Sequence, residues 1–345
     1  MRQLNDMDGH SIMKIVQPPK LLYRYRPLDD QLLNREMEAL KQSYLFSPSF
    51  KSMNDPMEAF YETGGPSDHI IDALFFGGGK KLTAIYDEFS ALIDKFALVS
   101  FSSSHEDLPL WAYYGSNFAG MCLEFETSEL SIGDFQGEQL LPVSYAKSAL
   151  PPLTMADFGG DRLKNSIHAR ITRKRSEWAH EKEWRYLTGE VGPKHYVDGA
   201  LKRVFLGPRI TPDHASAVCE TLESRQVEVL QGSVDGYELK FRTLKASVPL
   251  EDCERVGAGI FDPSDHSFAE TDITKFLSVP YSTLMSECRR IALDPNLEAI
   301  ESIDISGSKA DLIYLLATYK LRNGRLIFRK RYYDKHLIAR DISDQ

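Results

Sequence analysis

The stretch Trp178-Ala-His-Glu-Lys-Glu-Trp-Arg-Tyr186 joins a helical pattern to a strand pattern and carries two carboxylates one residue apart. Trp184 and Tyr186 favour a strand that begins at about Trp184, whereas the residues before it favour a helix. Glu183 is therefore expected where the chain changes structure. If the strand geometry reaches back to Glu181, the two carboxylates point to the same face. Paired acids held rigidly at such a junction are typical of a catalytic site.

The acid pair also has an interpretation without function. Glu-x-Glu patterns are common on protein surfaces, and Lys182 and Arg185 next to the pair would complete a solvated, charged segment. The two interpretations differ in whether the carboxylates face a cavity that they share with other functional side chains.

A first strand with two arginines lies far upstream of the acid pair. The segment Leu21–Arg26 predicts a strand, because apolar and polar residues alternate along it. Tyr23 and Tyr25 are expected on one face of that strand. Arg24 and Arg26 are expected to project together from the opposite face.

The rest of the first 245 residues alternates between short strand patterns and helical patterns. Strands are expected at about residues 44–48, 96–102, 121–126, 143–145, 204–208 and 227–230, and helices at about 30–42, 161–174 and 212–225, with a helix or turn at 110–114. This order predicts an α+β fold, with a mixed core sheet of short strands and flanking helices, rather than a doubly wound parallel sheet.

The composition narrows the class of protein. The chain has 345 residues, of which 42% are hydrophobic, and can bury one large core or two ordinary ones. A formal net charge of −9 argues against a protein that coats nucleic acid. The nine histidines include no His-x-x-x-His or His-Glu-x-x-His pattern, so no metal is expected.

Cysteine usage and hydropathy indicate the compartment. The four cysteines are widely spaced without a Cys-x-x-Cys pair, which favours free thiols in a reducing environment. The N-terminus lacks the apolar centre of a signal peptide, and no segment is long enough to span a bilayer. These features predict a cytoplasmic protein without a membrane partner.

A change of character after about Ala246 divides the chain into two predicted units. Residues 18–245 would form the α+β core, and residues 246–345 an accessory region that begins with a Pro-, Asp- and Gly-rich linker. Helical patterns are read at 281–292 and 310–321. The basic tail at 322–335 suits either contacts with phosphates and bases or an edge strand protected by its cations.

Six ordered blocks of the sequence resemble the bacterial family called domain of unknown function 2971. The resemblance covers roughly Leu21 to Leu230 and leaves the C-terminal third outside, and the family name supplies no activity. The blocks are Leu22-Tyr-Arg-Tyr-Arg26, Phe50-Lys-Ser-Met-Asn-Asp-Pro-Met-Glu58, Val99-Ser-Phe-Ser102, Leu110-Trp-Ala-Tyr-Tyr114, Gly120-Met-Cys-Leu-Glu-Phe125 and Glu181-Lys-Glu-Trp-Arg185.

The order of an arginine strand, a serine-rich strand and a Glu-x-Glu pair also resembles the layout of mono-ADP-ribosyltransferases. That resemblance implies an ADP-ribosyltransferase-like fold and NAD as the substrate. Cleavage of the nicotinamide bond builds positive charge on the ribose, which a fixed carboxylate stabilises, and Glu183 matches that role. Glu181 matches the earlier acid of the pair, which activates the acceptor as a general base.

The same resemblance assigns the NAD-binding side chains. Arg24 matches the arginine that holds the pyrophosphate, and Arg26 is the alternative for the same role. Either Ser100 or Ser102 matches the hydroxyl that positions the nicotinamide ribose. The aromatic surface for nicotinamide is expected from a side chain of the 110–114 block, namely Trp111, Tyr113 or Tyr114.

Two classes of function follow. The first is an NAD-dependent ADP-ribosyltransferase-like enzyme acting on an unknown macromolecular acceptor, a protein or a nucleic acid, with a toxin or phage-defence role implied by family association. The second is a noncatalytic module whose cleft binds a nucleotide, nucleic acid or protein. The enzyme hypothesis predicts that Arg24, Ser102 and Glu183 converge on one pocket.

Overall fold

The computed structural model describes residues 17–55, 57–58, 87, 89, 91–93, 95–154, 157, 161–264 and 268–340. The prediction that no signal peptide is present concerns residues 1–16 and lies outside these ranges. Asn54-Asp-Pro-Met-Glu58 is described except for Pro56.

Strands dominate the described part of the chain. They are β1 Leu21–Arg26, β2 Tyr44–Ser47, β3 Ala97–Ser102, β4 Met121–Glu126, β5 Gln139–Pro142, β6 Ser144–Ala146, β7 Arg173–Arg175, β8 Glu183–Thr188, β9 Gly192–His195, β10 Leu201–Leu206, β11 Glu228–Asp235, β12 Glu238–Lys245, β13 Leu297–Ile305, β14 Ile313–Lys320, β15 Leu326–Tyr333 and β16 Ala339–Arg340.

The helices are short and lie between the strands. They are α1 Leu33–Lys41, α2 Leu108–Tyr113, α3 Thr127–Leu130, α4 Asp161–Ile171, α5 Pro212–Thr221, α6 Glu270–Phe276 and α7 Tyr281–Ala292, and 3₁₀ turns lie at Phe50–Ser52, Ser176–Glu181, Asp198–Ala200 and Leu250–Asp252. None of the helices in the described ranges is both long enough and apolar enough to cross a membrane.

The described strands confirm an α+β fold. Eight of them form one sheet in the order β12-β11-β10-β4-β1-β3-β8-β5, in which β10 and β11 pair in parallel and the other neighbours pair antiparallel. A second sheet has the order β13-β14-β15-β16, and two-stranded sheets join β2 to β9 and β6 to β7. The three strands that carry the predicted site residues, β1, β3 and β8, are consecutive in the large sheet.

The large sheet has a gap between two of its central strands. β1 pairs with β4 along its whole length but with β3 only through Tyr23 and Ser102. The start of β3 is instead bonded to the segment after β2, where Leu98 N donates to Pro48 O at 3.2 Å. Because that segment takes the place beside β3, β1 and β3 separate beyond Tyr23.

Successive side chains of β1 point to opposite faces of the sheet, as predicted. Leu22 is fully buried in the main hydrophobic cluster, which also contains Phe101 of β3. Tyr23 and Tyr25 lie in a different cluster, with Trp111 of α2. The strand therefore separates two apolar layers, and residues that follow one another along it reach different parts of the molecule.

The C-terminal region shares its core with the large sheet. The main hydrophobic cluster contains Leu297 and Tyr319 of the second sheet together with Tyr196 and Leu201 from the first 245 residues. A hydrogen bond also joins the two parts: Asp198 N donates to the side-chain oxygen of Asn296 at 2.6 Å. Independent folding of residues 18–245 stays a prediction.

The basic tail is partly engaged within the chain. Arg322 pairs with Asp198 at 2.8 Å, and Arg325 pairs with Asp134 at 2.5 Å. These two cations join the second sheet to the first part of the chain.

The helix predicted at 310–321 is wrong. Ile313–Lys320 forms β14, which pairs with β13 on one side and β15 on the other. The apolar residues Ile313, Leu315 and Tyr319 are all fully buried and lie two or four positions apart, which is the period of a strand. A run of neighbouring leucines imitates the helical period there, and pairing with two strands decides the structure.

Candidate functional site

A cavity of about 390 Å³ lies in the gap between β1 and β3. Its walls include the four consecutive residues 23–26 of β1 and three residues of the second half of β3, so both sides of the gap contribute. Eight residues predicted for the site line this cavity: Arg24, Arg26, Ser100, Ser102, Tyr113, Tyr114, Glu181 and Glu183. The structure thus brings together three distant stretches of sequence.

The acid pair sits at the predicted junction of two structures. Glu181 ends the 3₁₀ turn Ser176–Glu181, and Glu183 begins β8. Between them Lys182 adopts a left-handed conformation with φ 46°, which turns the chain sharply. Glu183 lies opposite Ser102 in the register of β8 and β3. The carboxylates are therefore positioned by a turn and the start of β8 rather than by one continuous strand.

Lys174 holds three carboxylates together beside the cavity. Its ammonium lies 2.5 Å from Glu181 Oε2, 3.3 Å from Glu183 Oε2 and 3.1 Å from Glu58 Oε1. All four side chains are at most 5% exposed. Buried carboxylates are stable only when they are paired, so this lysine is required for the acids to remain in place.

Arg185 completes the network from inside the sheet. Its Nε donates to Glu183 Oε1 at 2.8 Å, and its Nη2 contacts Glu58 Oε2 at 2.8 Å and Glu183 Oε2 at 3.0 Å. Its Nη1 donates to Ile171 O at 2.6 Å. The planar guanidinium fixes the Glu183 carboxylate in one orientation. In this network three carboxylates share two cations.

The network gives Glu181 and Glu183 different pKa values. Burial by itself would raise the pKa of Glu183, but the attraction of Arg185 and Lys174 outweighs burial and lowers that pKa to about 2. For Glu181, burial raises the pKa more than the attraction of Lys174 lowers it. Glu183 is therefore charged at neutral pH, while Glu181 holds a proton more readily than an exposed glutamate. Such a split is the arrangement that assigns different acid–base roles to two neighbouring carboxyl groups.

Arg24 leaves a donor free at the cavity. Its Nη1 donates to Ser100 O at 2.6 Å, and within the described part of the chain its buried Nε has no hydrogen-bond partner. Burial, followed by repulsion from Arg26, lowers the pKa of Arg24 to about 9. Arg26 instead makes a two-pronged ion pair with Glu36, at 2.7 and 2.5 Å. The two arginines therefore differ, because Arg26 is held by a carboxylate whereas Arg24 has a buried Nε without a partner among the described residues.

Two serines and two tyrosines complete the walls. Ser100 Oγ is buried and makes no well-formed hydrogen bond with described residues, while Ser102 Oγ accepts from Ser104 N at 3.1 Å. Tyr114 donates its hydroxyl proton to Glu181 Oε1 at 2.9 Å. Tyr113 is 67% exposed and provides an accessible aromatic ring at the rim of the cavity.

Trp111 does not line the cavity, contrary to its predicted role. It is fully buried, its Nε1 donates to His105 O at 2.8 Å, and its ring meets Tyr25 edge to face at 5.3 Å. Trp111 packs in the hydrophobic cluster with Tyr25, so it has no open face on which a ligand ring could stack.

A second cavity of about 330 Å³ adjoins the first. Arg24, Arg26 and Pro48 line both cavities, and the second extends between β1 and α1. The two arginines therefore stand at the boundary of an elongated, two-part space.

Sequence patterns did not assign Lys174, Arg185 and Glu58 to the site. Glu58 and Arg185 are 127 residues apart, and no local pattern reports such a contact. A weaker signal was present at Arg185, because residues i and i+2 of a strand share a face and Arg185 follows Glu183 at that spacing. In the described residues no cluster of three or more His, Cys, Asp or Glu side chains is arranged to hold a metal ion.

The fold and site define an α+β protein with a cavity in the centre of a mostly antiparallel sheet and a buried acid–cation network in its wall. The model of a family described as a protein of unknown function (DUF2971) matches residues 110–186, which run from α2 into β8. The resemblance to that family is confirmed over this segment. The matched segment contains four residues of the site: Tyr113, Tyr114, Glu181 and Glu183. No curated protein and no solved structure gives a significant match to the chain.

Proposed function

We propose that the protein is an NAD-dependent ADP-ribosyltransferase-like enzyme. The observation that carries the proposal is that Arg24, Ser102 and Glu183, on the consecutive strands β1, β3 and β8, line one cavity. A cavity of about 390 Å³ lies in the range of small-molecule sites, about 300–1,000 Å³. The adjoining cavity behind Arg24 and Arg26 adds room for the second half of a dinucleotide.

Each part of NAD would meet a suitable group. The free Nε of Arg24 would donate to the pyrophosphate, and the buried Ser100 hydroxyl, which lies near Glu183, would bond the nicotinamide ribose. Tyr113 at the rim, or Tyr114 next to it, would cover the nicotinamide ring. Unpaired polar atoms in the wall of a cavity favour a polar ligand, because each costs free energy until it is bonded.

The chemistry would divide between the two acids. When the bond between the ribose C1′ and the nicotinamide nitrogen breaks, nicotinamide leaves with the bonding electrons and positive charge develops on the ribose. The charged Glu183 would stabilise that cation electrostatically. The nucleophile of the acceptor would then bond to C1′ and give its proton to Glu181, whose raised pKa suits a general base.

The proposal includes a macromolecular acceptor, protein or nucleic acid, and a cytoplasmic location. Free cysteines at positions 122, 219, 253 and 288 support the second point. Family association alone extends the proposal to a toxin or phage-defence role, for which loss of cellular NAD on expression is the measurement.

The test is release of nicotinamide from NAD by the purified full-length protein. We expect Glu183→Gln to abolish release and Glu181→Gln to reduce transfer to an acceptor more than hydrolysis. Glu177→Gln is the matched control, because Glu177 lies in the same 3₁₀ turn as Glu181 and its ion-pair partner among the described residues is the exposed Arg175. Release at the wild-type rate by Glu183→Gln would refute the assignment. Binding of NAD without any release would instead favour the noncatalytic module.

A further inference from the structure

We propose that a third cavity, which Lys174 lines but the acid pair does not, binds the phosphate group of a small ligand. This cavity has a volume of about 290 Å³ and lies between the end of α4, the strand β7 and the segment after β6. Five of its lining residues are cations, and none of the described lining residues is an acid: Lys147, Arg170, Arg173, Lys174 and Arg175.

Two of these arginines carry charge that no described carboxylate neutralises directly. Arg170 is 6% exposed, and its two terminal nitrogens donate to Ser166 O and Pro151 O at 3.1 and 3.0 Å. Arg173 donates to Ser148 O at 2.9 Å. In both side chains the buried Nε–H has no hydrogen-bond partner among the described residues. Backbone carbonyls orient these guanidinium groups without cancelling their charge.

The remaining cations of the cavity are more fully engaged. Lys174 is committed to its three glutamates, and Arg175 pairs with Glu177 at 2.6 Å. Burial lowers the pKa of Arg170 more than the attraction of Asp157 raises it, so a further anion beside the guanidinium would stabilise its charged form. An anion bound between Arg170 and Arg173 would satisfy both free donors and offset that cost.

The geometry favours phosphate as the anion. A guanidinium donates through a planar fork that matches phosphate oxygens, and two such groups with a lysine provide donors from several directions. The volume, about 290 Å³, is at the low end of small-molecule sites, so a phosphate with a small attached group fits better than a polymer. The net charge of −9 also disfavours a long polyanion.

The proposal is independent of NAD cleavage, since it concerns a different cavity. Lys174 is the only residue named here that lines both this cavity and the first one. A bound phosphate would therefore lie next to the lysine that holds Glu181 and Glu183.

Calorimetry on the full-length protein tests the site, with inorganic phosphate and glycerol 3-phosphate as probes and glycerol as the uncharged control. We expect both phosphates to bind and glycerol not to bind. Arg173→Gln and Lys147→Ala should each weaken binding, the first by about tenfold, because a charge-assisted hydrogen bond is lost. Lys147 is exposed, so its removal leaves the fold unaffected.

Two arginine variants locate the bound phosphate. Arg289→Gln, on the exposed face of α7, should bind as the wild type does, and so should Arg24→Gln in the first cavity. Loss of binding in Arg24→Gln together with retention in Arg173→Gln would place the phosphate in the first cavity and overturn the proposal. Absence of binding at millimolar phosphate would overturn it as well. A further probe is a single-stranded oligonucleotide without a terminal phosphate. If it binds more tightly than glycerol 3-phosphate and loses affinity in Arg173→Gln, the ligand of this cavity is a polymer, and the small-ligand proposal is overturned.

Discussion

Two buried charge networks in this protein have similar components but different surroundings. In the network around Lys174, three carboxylates share two cations and the group borders a cavity of about 390 Å³. The other network centres on Asp198, where Arg225 and Arg322 contact one carboxylate at 2.9 and 2.8 Å. The cavity beside this second network is only about 10 Å³.

The Asp198 network is balanced and joins two parts of the chain. Arg322 also pairs with Glu254 at 2.9 Å, so two cations face two carboxylates. Ser43 donates to Asp198 Oδ1 at 2.7 Å and accepts from Arg225 at 2.8 Å, so its hydroxyl bridges the two charged groups. Burial of charge alone therefore does not mark a functional site. An excess of acids next to an open cavity distinguishes the Lys174 network, and the following predictions test that distinction.

The largest effect is expected from removal of the chain after Ala246. The truncation removes Arg322 and the apolar side chains, such as Leu297 and Tyr319, that belong to the main hydrophobic cluster. We expect a protein that is insoluble or melts far below the full-length chain, although sequence composition predicted an independent core. Thermal unfolding followed by circular dichroism is the measurement. A truncated protein that melts cooperatively near the wild-type temperature would restore the two-unit interpretation.

The substitution Asp198→Asn should cost about 3–5 kcal/mol of unfolding free energy, because it leaves buried cations without their carboxylate. Arg225 is the more affected, since Asp198 is the carboxylate that it contacts in the described structure. Urea unfolding measures the loss. Asp235→Asn is the control, because Asp235 is exposed and its ion-pair partner among the described residues is the exposed Lys240, and it should change stability by less than about 0.5 kcal/mol. Equal effects of the two substitutions would contradict the comparison.

Glu183→Gln should cost less stability than Asp198→Asn, about 1–3 kcal/mol, because Lys174 and Arg185 retain Glu58 as a partner. The cost should depend on pH. The folded-state pKa of Glu183, about 2, is below the unfolded value of about 4.3. The charge of Glu183 therefore stabilises the folded state fully at pH values above about 4.3. The stability difference between wild type and variant should shrink as pH falls from about 4.3 towards 2. A difference that stays constant over this interval would show that charge is not its cause.

The smallest effect is expected for Tyr114→Phe. This change removes the hydrogen bond to Glu181 and should lower stability by about 1 kcal/mol. Because that bond favours the charged form of Glu181, its loss should raise the pKa of Glu181 further. Tyr113→Phe is the matched control, since Tyr113 is largely exposed and should give no measurable change in melting. Identical melting of both variants would mean that Tyr114 does not support the acid network.

Local sequence patterns predicted much of the sheet. The expected bounds of β1 and β4 agree with the structure, because β1 alternates and ends before Pro27 and β4 begins directly after Gly120. The position of Glu183 at the start of β8 was also predicted, since aromatic residues follow it directly. Where a strand was read as a helix, at β14, neighbouring leucines imitated the helical period.

The missing parts of the site are those that depend on tertiary contacts. The gap between β1 and β3 exists because the segment after β2 bonds to β3, which no pattern within β1 or β3 reports. The helix expected at about 161–174 included Lys174, yet this lysine belongs to β7 and is buried by partners from other elements. The sequence thus identified the candidate catalytic acids, whereas it did not identify the cations that pair with them.

The gap between β1 and β3 also has a consequence for backbone motion. A central strand normally exchanges its amide hydrogens slowly on both sides, because each side is bonded to a neighbour. Beyond Tyr23, β1 has no strand partner on its β3 side among the described residues, although its β4 side is fully paired. Amides from Arg24 to Arg26 that point into the gap should therefore exchange faster than those of β4, and a ligand that fills the gap should slow them. Hydrogen exchange would then report occupancy of the cavity directly, without any need to know what reaction occurs there.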